Sequence, residues 1–140
     1  KYKQYVNIIS NIKNYNYISS YFINANERVF YRYIFTSCYT PLLNFLFNLD
    51  FPYYNGLTIY KTNILKKIEI KFNSHIFQVE IWIKLKLNNL LSEVNFVQLK
   101  NQERKQVSQA FKVKNSLKVT LSFFYLVFYY WIKKIIYLFK

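Results

Sequence analysis

The sequence predicts an α/β chain that ends in a membrane-associated helix. Two observations lead there. Segments with apolar residues at helical spacing alternate with short runs rich in β-branched and aromatic residues. An uncharged aromatic stretch bracketed by lysines then occupies the C-terminus.

The elements follow in chain order. In residues 2–14, Tyr5, Ile8, Ile9 and Ile12 have the spacing of a short amphipathic helix. Residues 17–23, with Tyr17, Ile18, Tyr21, Phe22 and Ile23, predict a strand, which Asn24-Ala25-Asn26 breaks. From Glu27 onward, Val29, Phe30, Tyr33 and Ile34 are spaced as on a helix. Pro41 lacks the backbone N–H that a helix interior uses, so this helix is expected to stop before it. Thr40 as N-cap and Pro41 at the first helical position would open a second helix running to Asn48.

Asp50-Phe51-Pro52 marks a turn. Residues 53–60 predict an extended segment interrupted at Gly56, where glycine signals a bulge or a close backbone approach. Asn63 is expected to cap a short helix reaching Lys67. Ile68, Ile70 and Phe72 alternate with polar residues and predict a strand or extended loop. In residues 77–88, Phe77, Val79, Ile81, Ile83, Leu85 and Leu87 also alternate, which favours a strand. Twelve residues is long for one, however, and Glu80 with Lys84 forms an i,i+4 helical pair. Residues 93–99 predict an ordinary strand, followed by a polar run over 100–109.

Residues 119–132 carry no charge, with Lys112, Lys114 and Lys118 before them and Lys133 and Lys134 after. As a helix this run spans about 21 Å, short of a ~30 Å hydrocarbon core. Continuing to Phe139 reaches far enough only by burying two lysines. An interfacial helix fits better, with aromatics at headgroup level and lysines on anionic lipid.

Composition removes several function classes. The 140 residues include 20 Lys+Arg against 6 Asp+Glu, a formal net charge of +14. At 53% hydrophobic and 22% aromatic the chain is not disordered as a whole. Cys38 is the only cysteine, which leaves no internal disulfide and no Cys cluster for zinc, and His75, the only histidine, leaves little for a histidine-based metal site or a Ser-His-Asp triad. With Gly56 as its one glycine the chain holds none of the glycine-rich nucleotide loops. Lys, Asn, Ile, Tyr and Phe dominate, as A/T-rich codons alone would produce, so the charge argues only weakly for an anionic partner. The basic residues are spread along the chain rather than gathered in a binding motif, which speaks against nucleic acid. Only three residues are arginine: Arg28, Arg32 and Arg104.

Several segments, in order, resemble the C-terminal half of a family 2 glycosyltransferase of the dolichol-phosphate mannosyltransferase-like kind. They are Tyr21-Phe22-Ile23-Asn24 with Glu27-Arg28 and Arg32; Tyr39-Thr40-Pro41-Leu42-Leu43-Asn44-Phe45-Leu46-Phe47 leading to Tyr53-Tyr54-Asn55-Gly56-Leu57 and Tyr60-Lys61; Phe77-Gln78-Val79-Glu80 with Glu93-Val94; and Glu103-Arg104, Ser108, Ala110-Phe111 and Lys114-Asn115. The resemblance covers about residues 18–115. It departs from the family pattern at Lys105, Gln106 and Val107, where a glycine is usual, and at Thr36, where a serine is usual.

The resemblance implies part of a nucleotide-diphospho-sugar transferase (GT-A-like) α/β fold. Residues 1–115 would form the acceptor side of a catalytic domain, and residues 116–140 the basic, aromatic membrane helix. It also implies that residues 77–88 are helical despite their alternation. The family's Asp-x-Asp metal motif and nucleotide pocket precede the matched region, so the chain is expected to lack its donor-binding half and to be inactive alone. The nucleotide sugar and its Mg²⁺ or Mn²⁺ would belong to the full-length enzyme; this chain itself would carry no cofactor and no metal site. A lipid-phosphate acceptor and the cytoplasmic face of a membrane are the remaining implied partners.

Within that frame Arg28, Arg32, Arg104 and Ser108 are candidates for phosphate contact. Guanidinium binds phosphate bidentately, a reason to keep arginine where lysine otherwise prevails. Asn55 and Gly56 would bring the backbone close to sugar or acceptor. Glu80 is the carboxylate placed to orient a hydroxyl or act as base, against the plainer reading of a surface pair with Lys84. The competing function is a non-catalytic membrane-surface binding protein.

Overall fold

A computed structural model describes residues 6, 14–22, 30–73, 76–99 and 113–139. The fold is mixed α/β: a three-stranded sheet, four helices and one long apolar helix at the C-terminal end among them. Strand β1 (Tyr17–Phe22) is followed by helix α1 (Phe30–Phe47), strand β2 (Thr58–Tyr60) and the short helix α2 (Thr62–Leu65). Helix α3 (Phe77–Leu87), strand β3 (Val94–Leu99) and helix α4 (Val113–Leu138) complete it. The helix expected in residues 2–14 lies outside the described residues apart from Val6 and Asn14, as do the break at residues 24–26 and the polar run 100–109.

β1 is the central strand, antiparallel to β2 and parallel to β3. Its Tyr17 face is covered by α3: Trp82 meets Tyr17, Phe51 and Tyr60 with ring centroids 5.0–5.7 Å apart. The Tyr17 and Phe51 contacts are edge-to-face, a geometry that adds to the burial of large rings. The other face carries a smaller cluster of Ile18 and Leu99, with Ile59 and Val97 against it. The Tyr17 hydroxyl donates to the Leu90 carbonyl at 2.6 Å and ties the sheet to the chain leaving α3.

The structure corrects three sequence expectations. Pro41 does not divide the 30–47 region; α1 runs through it as one helix. Pro41 sits on the exposed side, while Thr40, Leu43 and Phe47 anchor the inward stripe on the core, so packing holds the helix across the missing donor. Of residues 53–60 only Thr58–Tyr60 pair as strand. Asn63 lies inside α2, whose N-cap position is Lys61 and whose side chain makes no cap bond. Residues 77–87 form helix, as the family resemblance implied and the alternation did not.

Helix endings show how a chain with one glycine turns corners. Asn48 and Asn89 take left-handed φ values of 50° and 54° just past α1 and α3. The next amide in each case bonds back five residues, Leu49 N–H to the Asn44 carbonyl at 3.0 Å and Leu90 N–H to the Leu85 carbonyl at 2.9 Å. This is the Schellman ending, with asparagine where glycine is usual. Lys86 adds its ammonium to the freed carbonyls of Phe47 and Asn48.

Candidate functional site

Parallel pairing of β1 with β3 sets the geometry of one sheet edge. Phe22 is the register partner of Leu99, so both strands end side by side. Because β2 is antiparallel, its first residue Thr58 pairs with Ser19, and Gly56 and Leu57 lie against Ser20 in the carboxyl half of β1. In open α/β sheets, ligands bind at the carboxyl ends of parallel strands.

That edge is closely built. A Cβ on Gly56 would stand 1.8 Å from the Ser20 carbonyl oxygen, so only glycine fits. Gly56 is buried and its φ is not positive; its role here is steric room, not backbone freedom. The Ser20 amide donates to the Leu57 carbonyl at 2.9 Å. Gln78, from the first turn of α3, donates its side-chain amide to the Gly56 carbonyl at 2.8 Å. The Thr58 hydroxyl lies 3.1 Å from that of Ser19 and 3.3 Å from the Gly56 carbonyl. Asn55 projects beside this knot, exposed, while the Ser20 hydroxyl is buried with no hydrogen-bond partner among the described residues.

The segment reaches this edge because Asn44 on α1 holds it. Its side-chain amide donates to the Phe51 carbonyl at 3.0 Å, and its oxygen accepts from the Phe51 N–H at 3.1 Å and the Tyr54 hydroxyl at 2.6 Å. One side chain thus imitates a strand neighbour for Phe51. Burial, reinforced by Tyr39 and the Asp50 charge, pushes the Tyr54 hydroxyl far above its ordinary range, which keeps it a donor.

Glu80 is placed differently from its neighbours in sequence. Its carboxylate is buried at 0% exposure and accepts from the Lys71 N–H at 2.8 Å, the Phe72 N–H at 2.9 Å and Lys84 Nζ at 2.6 Å. Lys84 also donates to the Glu69 carbonyl at 2.5 Å. The pair with Lys84 is therefore a core pair rather than a surface one. It fastens residues 69–72, which have no regular structure of their own, to α3.

Of the sequence-predicted site residues, the structure brings Asn55 and Gly56 to the carboxyl edge and turns Glu80 toward residues 69–72. Arg32 lies near the start of α1, its side chain outside the described set. Arg28, Arg104 and Ser108 lie outside the described residues. Gln78 and Asn44 hold the edge together and were visible beforehand only as members of the quoted motifs. Among the described residues no three His, Cys, Asp or Glu side chains converge.

No protein family, curated protein or solved structure matches this chain significantly.

Proposed function

We propose that the chain is the acceptor-side part of a family 2-like glycosyltransferase with a GT-A-like fold. It would transfer a sugar from a nucleotide sugar, bound by a preceding half, to an acceptor such as a polyprenyl phosphate at the cytoplasmic face of a membrane. The observation that carries this reading is the shared carboxyl edge of β1 and β3. The chain leaves β1 at Phe22 toward Arg28 and leaves β3 at Leu99 toward Arg104 and Ser108. In sequence, Arg28 follows Phe22 by six residues and Arg104 follows Leu99 by five.

In this reading Arg104, Ser108, Arg28 and Arg32 hold phosphate oxygens, and Asn55 hydrogen-bonds the sugar or acceptor. Gly56 keeps the 53–57 segment against β1. An ionised lipid phosphate needs no base, which agrees with a Glu80 whose two oxygens already accept from three donors. Glu80 then serves as a positioning residue. Any Mg²⁺ or Mn²⁺ would act with the donor half.

The test is calorimetric titration of the 140-residue chain in micelles with a short-chain polyprenyl phosphate, and separately with UDP- and GDP-sugars plus Mn²⁺. Binding of the lipid phosphate is expected, weakened about tenfold by Arg104→Lys because the bidentate fork is lost. Nucleotide sugar should not bind. Lipid-phosphate affinity that is absent, or indifferent to Arg104, would overturn the proposal.

The second reading, a non-catalytic membrane-surface binding protein, is favoured by α4 alone. Its segment Leu117–Leu138 is 22 residues of helix, long and apolar enough to cross a membrane and 17% buried. It runs on through Lys133 and Lys134, beyond the uncharged stretch.

A further inference from the structure

Helix α1 exposes more apolar surface than packing explains. Its inward stripe is Thr40, Leu43 and Phe47, yet on the outward side Ile34, Leu42 and Phe45 are 45%, 45% and 83% exposed. Neither α1 nor α4 contains a carboxylate; their charges are Arg32 on α1 and Lys114, Lys118, Lys133 and Lys134 on α4. The helices touch where the Phe47 ring meets the Tyr130 ring at 5.2 Å and the Tyr130 hydroxyl donates to the Phe47 carbonyl at 3.1 Å. Exposed Phe45 and Trp131 stand on either side of that contact in sequence.

We infer that α1 is a second lipid-contacting helix, whose outward face of Ile34, Leu42 and Phe45 enters the headgroup region of an anionic bilayer beside α4. Charge chooses the occupant. A second copy would bring two chains of +14 together, whereas an anionic lipid surface complements that charge. Lys134 Nζ lies 4.8 Å over the Trp131 ring, a cation and an indole paired as at headgroup depth. A helix carrying a single charge among exposed apolar residues suits that boundary better than water. This contact extends beyond α4 and stands apart from any catalytic role.

Cys38 makes the test direct. It is the only cysteine and lies exposed on α1, one helical turn from both Ile34 and Leu42. The full 140-residue chain would be labelled there with an environment-sensitive nitrobenzoxadiazole dye. It would then be mixed with vesicles of phosphatidylcholine and phosphatidylglycerol. The emission should move to the blue and rise several-fold, and Phe45→Asp should lower vesicle partitioning about tenfold at unchanged circular dichroism. Vesicle binding without a dye response would mean that α4 binds alone, and would overturn the inference, as would failure to bind vesicles. A blue shift without lipid that grows with protein concentration would assign the face to a second copy instead.

Discussion

Lys84 Nζ lies 2.6 Å from Glu80 Oε1, one turn apart on α3, with side chains 6% and 0% exposed. In water such a pair contributes a few tenths of a kcal/mol. Inside the core, removal of one partner strands the other charge. Lys84→Met is expected to destabilise by about 3–5 kcal/mol, and Glu80→Gln by about 2 kcal/mol or more, since its amide group must face a donor. Urea unfolding measures both. Amide exchange adds a local readout: the Lys71 and Phe72 N–H groups should exchange slowly in the parent chain and quickly in Glu80→Gln. Equal rates in the two proteins would contradict the carboxylate clamp.

Gly56→Ala places a methyl group where the Ser20 carbonyl oxygen already stands. Backbone must move, at a cost of about 3 kcal/mol. Asn55→Ala, one residue away and exposed, should stay within about 0.5 kcal/mol of the parent. Denaturant midpoints of the two variants give the comparison; similar values would mean that the 53–57 segment yields freely.

Asn89 holds a left-handed φ at an exposed position. Asn89→Gly should be neutral or stabilising by about 0.5 kcal/mol, because glycine adopts that region without a Cβ penalty. Asn89→Ala should cost about 1 kcal/mol. Thermal unfolding of the pair should rank glycine above alanine; the reverse order would place the end of α3 elsewhere.

Alkaline pH tests the aromatic core. Burial raises the hydroxyls of Tyr17, Tyr54 and Tyr60 above the ordinary 10.0. For Tyr60 the neighbouring Thr58 hydroxyl offsets this in part, although no partner among the described residues sits in bonding geometry. A raised folded value means that the native state keeps protons which the unfolded chain releases. Stability from these groups is complete below pH 10 and falls as pH rises past it. Lys86, lowered by burial and then by Lys134, works the other way, gaining as pH climbs toward its ordinary 10.5. The three tyrosines outweigh one lysine. Tyrosinate absorbance should therefore show a step coincident with loss of helical circular dichroism. A single reversible step for all 15 tyrosines, with the helices intact, would contradict this core.

Some of the fold was legible in the residues themselves. β1 and β3 announce themselves through β-branched and aromatic side chains, and a glycine between Asn55 and Leu57 signalled a close backbone approach. The partner in that approach, the Ser20 backbone, depends on sheet register and could not be read. Residues 77–87 misled for a physical reason. Periodicity assumes that polar positions face water, whereas Val79 through Leu85 are all buried and Glu80 and Lys84 satisfy each other inside. Pro41 misled because a local rule met tertiary anchors at Leu43 and Phe47. Asn44 appeared only as a member of a quoted motif and its role could not be read, since a side chain that bonds the backbone of Phe51 is defined only once both are in place.

The parallel partners in this sheet, such as Tyr21 and Gln98, are 77 residues apart. At ribosomal speeds the second emerges about 4–15 s after the first. β2 arrives much sooner, so during synthesis β1 is covered on one side and bare on the other. A nascent chain in that interval offers an open hydrogen-bonding edge next to an apolar α1. Whatever shelters it meanwhile, a chaperone or a lipid surface, must act before β3 is made.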